Sequence, residues 1–244
     1  MKLLIYTILL LLPLAGISQV NQKDSQGRKQ GVWKKPYANN TVFEYVGQFK
    51  DDKPVGTFNY FYQSGNLKVA LEFKSDGKTS YAKMYHESGF LMSSGKYINK
   101  IKDSTWIHFD DRGFVSFQES YKNGVLDGEK IVYYEPEGNT YPVAEYSNYK
   151  NGVLHGEYKK YHPNKKLAAE GNYVDGNKDG VFKHYHQNGK IALLERYKYA
   201  VKHGYQIAYD LKGIQEGYKL YWEGKELKGE ALKLKEAELK ENRD

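Results

Sequence analysis

The 244-residue chain has no cysteine. Disulfides, thiolate nucleophiles and cysteine-ligated zinc are excluded with it. Proline is scarce, at 6 residues, so rigid linkers are few. Blocks of one charge sign are missing too. The formal net charge is +7, but Lys alternates with Glu and Asp throughout. A nucleic-acid partner requires basic residues clustered on one face, and none is expected here. Mean hydropathy is −0.78, and 40% of residues are hydrophobic, lean for a compact two-layer core. No G-x-S-x-G, phosphate-binding glycine loop or H-E-x-x-H occurs.

The one long apolar run, Leu3 to Leu14, follows the basic start Met1-Lys2 and precedes the small residues Gly16 and Ser18. This is the layout of a secretory signal, cut near Ser18-Gln19. The run is too short for a membrane span of about 20 residues. Residues 1–18 therefore read as a signal peptide. The mature chain is expected outside the cytoplasm, in the periplasm, at the outer-membrane surface or secreted, with no transmembrane segment.

Tyrosine and glycine are abundant, 24 of each, beside 10 Phe and 3 Trp. They recur in register. Gly56, Gly128, Gly156, Gly180 and Gly204 occupy one slot, shared with Ser80 and Ser104, at spacings of 24, 24, 24, 28, 24 and 24 residues. A degenerate copy is anchored at Gly31. The residue five after each anchor is aromatic: Phe61, Tyr85, Phe109, Tyr133, Tyr161, Tyr185 and Tyr209. Seventeen after the anchor stand Phe73, Tyr97, Tyr121, Tyr173, Tyr197 and Tyr221. The fifth copy is shifted to Tyr149 by an insertion around Asn139–Pro142.

Turn chemistry splits each unit in two. One turn holds Gly65, Gly89, Gly113, Gly189 or Gly213; the other pairs Asp76, Asn123, Asn151 or Asp175 with a following glycine. Asn-Gly and Asp-Gly are strong signals for tight hairpins. Tight connections give an antiparallel meander, since parallel strands need longer crossovers. The expected fold is all-β: an elongated single-layer hairpin sheet of about eight units and sixteen strands over residues 19–229. Residues 230–244 lack Gly, Pro and aromatics and favour a helix, with Leu227, Ala231 and Leu234 on one stripe, capping the open end. In the first strand of each unit the large residues stand two and five after the anchor. That spacing leaves two readings open: a bulge between them, or packing on both faces.

The run Lys150-Asn151-Gly152-Val153-Leu154-His155-Gly156-Glu157-Tyr158-Lys159-Lys160-Tyr161, with Asn188-Gly189-Lys190-Ile191 after it, reads N-G-x-x-H-G-x-[YFW]-x-x-Y…N-G-K-[LI]. It resembles the MORN-repeat superfamily, in the bacterial variant often labelled a YwqK-type antitoxin. The resemblance spans roughly residues 27–229. It implies a hairpin sheet serving as a scaffold or binding surface, with no catalytic residues to carry over.

The seven histidines all fall at variable repeat slots. Equivalent slots lie two strands, about 9.6 Å, apart, too far for shared ligation. His184 and His186 would share a face, with two ligands in view. Asp51-Asp52 and Asp110-Asp111 fall at turns, where alternation prevents an acid–base dyad. The chain thus reads as a non-enzyme without cofactor or metal. Its expected partner is another protein; the alternative is a cell-envelope glycan stacked on exposed tyrosines.

Overall fold

The computed structural model describes residues 19–38 and 41–241. The leader read at residues 1–18 and the end of the expected helix, 242–244, lie outside the described residues. Nineteen strand segments form one open antiparallel sheet followed by one helix, Gly229–Glu241. Strands pair with their sequence neighbours in a simple meander. The three segments beyond the expected sixteen are short: Gln22–Lys23, Val201–Lys202 and Lys225–Leu227.

Each unit is built around a bulge at its anchor. Val46 faces Asn59, but Gln48 faces Val55, so Gly56, Thr57 and Phe58 stand opposite the single residue Gly47. The same two-residue excess places Ser104–Trp106 opposite Gly95 and Gly180–Phe182 opposite Gly171. The anchor takes positive φ in this bulge, +64° at Gly56 and +72° at Gly180, which glycine does without a Cβ penalty. Ser104 keeps the bulge at φ +59°. At Ser80 there is no bulge, and the preceding loop closes between Lys74 and Thr79 instead. Its four intervening residues replace a two-residue turn plus a two-residue bulge, so the 24-residue period survives.

The bulge does not lie between the residues two and five after the anchor. That stretch is continuous, and alternation sends the two aromatics to opposite faces. Phe182 packs edge-on against Tyr173 and Tyr197 at 5.3 and 5.6 Å. Tyr185 instead donates its hydroxyl to Glu170 at 2.6 Å, beside Lys183. Of the two first-strand readings, packing on both faces is the one realised.

Burial is concentrated two residues after the anchor. Phe58, Ala82, Trp106 and Phe182 are 3%, 2%, 0% and 1% exposed. Gly47, Gly95 and Gly171 are glycine because a Cβ there would stand 2.2–2.4 Å from the ring of Phe58, Trp106 or Phe182. The residues of the named register five after the anchor are all half-buried.

The two margins of the sheet carry their own ladders. On one, turn amides bond back to the previous hairpin, Gly124, Gly152 and Gly176 donating to the carbonyls of Lys102, Leu126 and Leu154 at 2.8 Å. On the other, the side chain six after the anchor reaches the next unit's backbone. Tyr37, Tyr62 and Tyr134 donate to Phe61, Tyr85 and Tyr161 carbonyls at 2.6–2.7 Å. The insertion in the fifth copy folds as a small loop closed by Glu137 and Thr140.

The helix lies on the face opposite the buried rings. Lys235 Nζ sits 3.4 Å from the Trp222 ring centre, the Tyr218 hydroxyl donates to Glu236, and Leu220 beneath is 0% exposed. The expected stripe is corrected here. Leu227 ends a strand and Leu234 is 66% exposed, while Leu232, Lys235, Glu236 and Leu239 turn toward the sheet. The strand's tight turn at Glu223-Gly224 sets the chain's direction before the helix begins, and so fixes which side it presents.

Candidate binding surface

The face that carries the buried rings is a stripe of alternating aromatics and lysines. Rings join across strands: Phe49 and Phe73 flank Phe58, Tyr97 meets Trp106, and Tyr158, Tyr173, Phe182 and Tyr197 form a continuous series. Lysines two before the anchor cover these rings. Lys102 lies over Trp106 and Tyr121 at 4.4 and 4.8 Å, and Lys178 over Phe182 and Tyr197 at 4.6 and 5.1 Å. Such cation–π contacts hold the ammonium on the ring face. Burial lowers the Lys102 pKa.

Two equivalent polar clusters interrupt this stripe. In the second, Glu195 is 6% exposed. It accepts from Lys202 at 2.8 Å, Gln206 at 3.1 Å and His184 at 3.2 Å. Burial pushes its carboxyl pKa up, but bonds and charges from Lys202, Lys178 and His184 outweigh that, and the net shift is down. In the first cluster, Glu119 is held by Lys130 at 2.9 Å and by the Tyr121 hydroxyl at 2.7 Å. His108 stacks on Phe117 at 4.3 Å, its Nε2 buried 3.8 Å from Glu119. Burial and the neighbouring Lys102 push the His108 pKa down.

The histidines expected on one face are divided. His184 faces Glu195, whereas His186 lies past the strand end and contacts the Tyr209 carbonyl at 2.9 Å through Nε2. His162 does the same to Tyr185. A carbonyl only accepts, so Nε2 carries the proton in both. Imidazole here does the work that the Tyr37, Tyr62 and Tyr134 hydroxyls do in other copies. Asp51-Asp52 forms a turn with both residues at positive φ, and Asp110 accepts the amides of Arg112 and Phe114. Among the described residues, no three of His, Asp or Glu converge on a metal geometry.

The register named from sequence, Phe61 to Tyr209, lies on the reverse face near the longer turns. The residues two after the anchor, with their facing glycines, were missed as the core. The signal was present in the small residues nine before the anchor: Gly47, Gly95, Ser147 and Gly171.

Three segments, residues 54–75, 154–175 and 178–199, match the family model described as MORN repeat variant. Each match covers one pair of strands and the longer turn between them, with the anchor glycine of its unit inside it. No curated protein matches the chain. Among the described residues, no helix is long and apolar enough to cross a membrane.

Proposed function

We propose that the chain is an exported, non-catalytic repeat scaffold that binds another protein, of the YwqK-type within the MORN-repeat proteins. The observation that carries this reading is the one-layer sheet itself. It offers two solvated faces and open ends, and its polar side chains are spent on linking one repeat to the next. Glu195, Glu119, His162 and His186 all have such structural duties.

A protein partner is favoured over a glycan by the state of the rings. Sugar stacking needs a free aromatic face. On the ring stripe those faces meet neighbouring rings or lysines, as at Trp106 and Phe182. Export is supported by the leader read at residues 1–18 and by the absence of any need for a reducing compartment.

Affinity capture from cell-envelope extracts with the mature chain tests the scaffold reading. A specific partner, eluted at stoichiometric yield, is the expected result; none recovered under native conditions ends the reading. Mass measurement of the expressed protein should give a chain beginning at Gln19. A glycan array that binds tightly would reverse the choice of ligand class.

A further inference from the structure

Among the described glycines, four lie in extended strand conformation: Gly47, Gly95, Gly171 and Gly217. Three receive a ring from the strand that follows them. Gly217 receives nothing, and a Cβ there would have no atom within 4 Å. A strand-interior glycine weakens a sheet and commonly marks close approach by another group. Here no group of the chain itself makes that approach.

The meander shows what is absent. At the equivalent position of earlier units, the following strand lays a side chain over the glycine's counterpart. Where that counterpart is small, the arriving side chain is an imidazole ring: His108 over Ser93, and His184 over Ala169. The strand following Gly217 is only Lys225–Leu227, and it pairs with Leu220–Trp222 alone. Gln215–Lys219 therefore has no strand on its outer side. On the inner side Gly217 faces Ala208, another small residue. The result is a shallow hollow of about 390 Å³ walled by Leu193, Gln206 and Lys219 over a floor of Ala208 and Gly217.

Backbone polarity agrees. Trp222 and Lys225 close a two-residue turn, so their amides and carbonyls face each other. By alternation, the groups of Leu220, Tyr218 and Glu216 point the same way, outward. Those of Glu216 and Tyr218 meet no strand. The residues Gln215, Glu216, Tyr218 and Lys219 are exposed.

We propose that the outer edge of Gln215–Lys219 takes an extended segment of a partner protein as an added antiparallel strand, with an aromatic side chain of that segment seated over Gly217 and Ala208. This rests on the scaffold reading and gives it a site. Main-chain bonds to Glu216 and Tyr218 supply affinity, and the hollow supplies selectivity for a ring, the usual division in strand addition.

The chain supplies its own probe. A capped peptide of Phe182–Gln187 copies the strand that brings His184 over Ala169. Titrated into the 15N-labelled full chain, it should shift Ala208 and Glu216–Lys219 and slow exchange of the Glu216 and Tyr218 amides, with a Kd on the order of 1 mM. Gly217→Val fills the hollow, and Glu216→Pro removes only an outward amide. Each should weaken binding about tenfold or more, with melting temperature unchanged or raised for Gly217→Val. Equal binding by both variants, or shifts confined to other strands, overturns the site. A captured protein partner that binds Gly217→Val as well as wild type overturns the site and leaves the scaffold reading standing. Peptide binding without any captured partner does the reverse. A concentration-dependent dimer lost in Gly217→Val would overturn the assignment to a foreign partner and make a second copy the occupant.

Discussion

At Gly171 and Phe182, one residue type is dictated by another across the bulge. The ring is 1% exposed, and its carbons stand 2.4 Å from where a Cβ would be built. Gly171→Ala should cost about 2–3 kcal/mol, because neither the ring nor the sheet backbone can retreat without strain. Phe182→Ala should cost about 3–5 kcal/mol through lost burial and the void left behind. Urea titrations followed by tyrosine fluorescence would read both. Charge works at the same scale in Glu195. Its carboxyl titrates below the ordinary value of 4.5 in the folded chain. The stabilisation it gives is present in full above pH 4.5 and is lost as pH falls through the lower folded pKa. Wild type should therefore lose melting temperature on going from pH 5 to pH 3. In Glu195→Gln, already less stable at pH 7 by about 1–3 kcal/mol, that slope should be shallower. An unchanged slope would show that Glu195 does not carry it.

Turns govern the element scale. Asn123-Gly124 and Asn151-Gly152 place an Asn-Gly pair at positive φ, as tight hairpins prefer. Tyr199-Ala200 adopts the same turn at φ +50° and +70° with neither residue suited to it. A left-handed non-glycine residue costs about 1–2 kcal/mol. Ala200→Gly should accordingly raise stability by about 1 kcal/mol, read as an upward shift in thermal midpoint. The sequence gave no turn signal there, so this hairpin was legible only from the period on either side of it. The third unit was misread in the opposite sense. Asp76-Gly77 looks like the tight turns elsewhere, but lies in a longer loop in which Asp76 accepts the amides of Lys78 and Thr79. Losing the bulge at Ser80 moved two residues into that loop, an exchange that a spacing count cannot detect because the sum is unchanged.

At the scale of the whole molecule, each hairpin contacts its neighbours and little else, so stability is close to a sum over units and their interfaces. Deleting Gly156–Asp179 removes one period and joins His155 to Gly180, slot to equivalent slot. The shortened chain should keep strand content per residue by circular dichroism and unfold with a proportionately smaller denaturant dependence. Collapse of the remaining units would show a global core that the one-layer sheet does not have. The open end at Gln215–Lys219 also belongs to this scale. It exists because the last strand stops after three residues and the chain turns into a helix on the reverse face.

By itself, the sequence determined the repeat, its period, the alternation of two turn kinds and hence the antiparallel meander. Those properties are local: they follow from glycine and asparagine at fixed offsets and from period-2 alternation. Only the tertiary structure decided which aromatics are buried, because that depends on a two-residue bulge bringing Phe58, Trp106 and Phe182 over glycines in another strand. It also decided that His162 and His186 bond to backbone in the next unit, and which side of the sheet the helix covers. Each of these is a relation between strands, set by register across the sheet, and a linear pattern holds only one partner of each pair at a time.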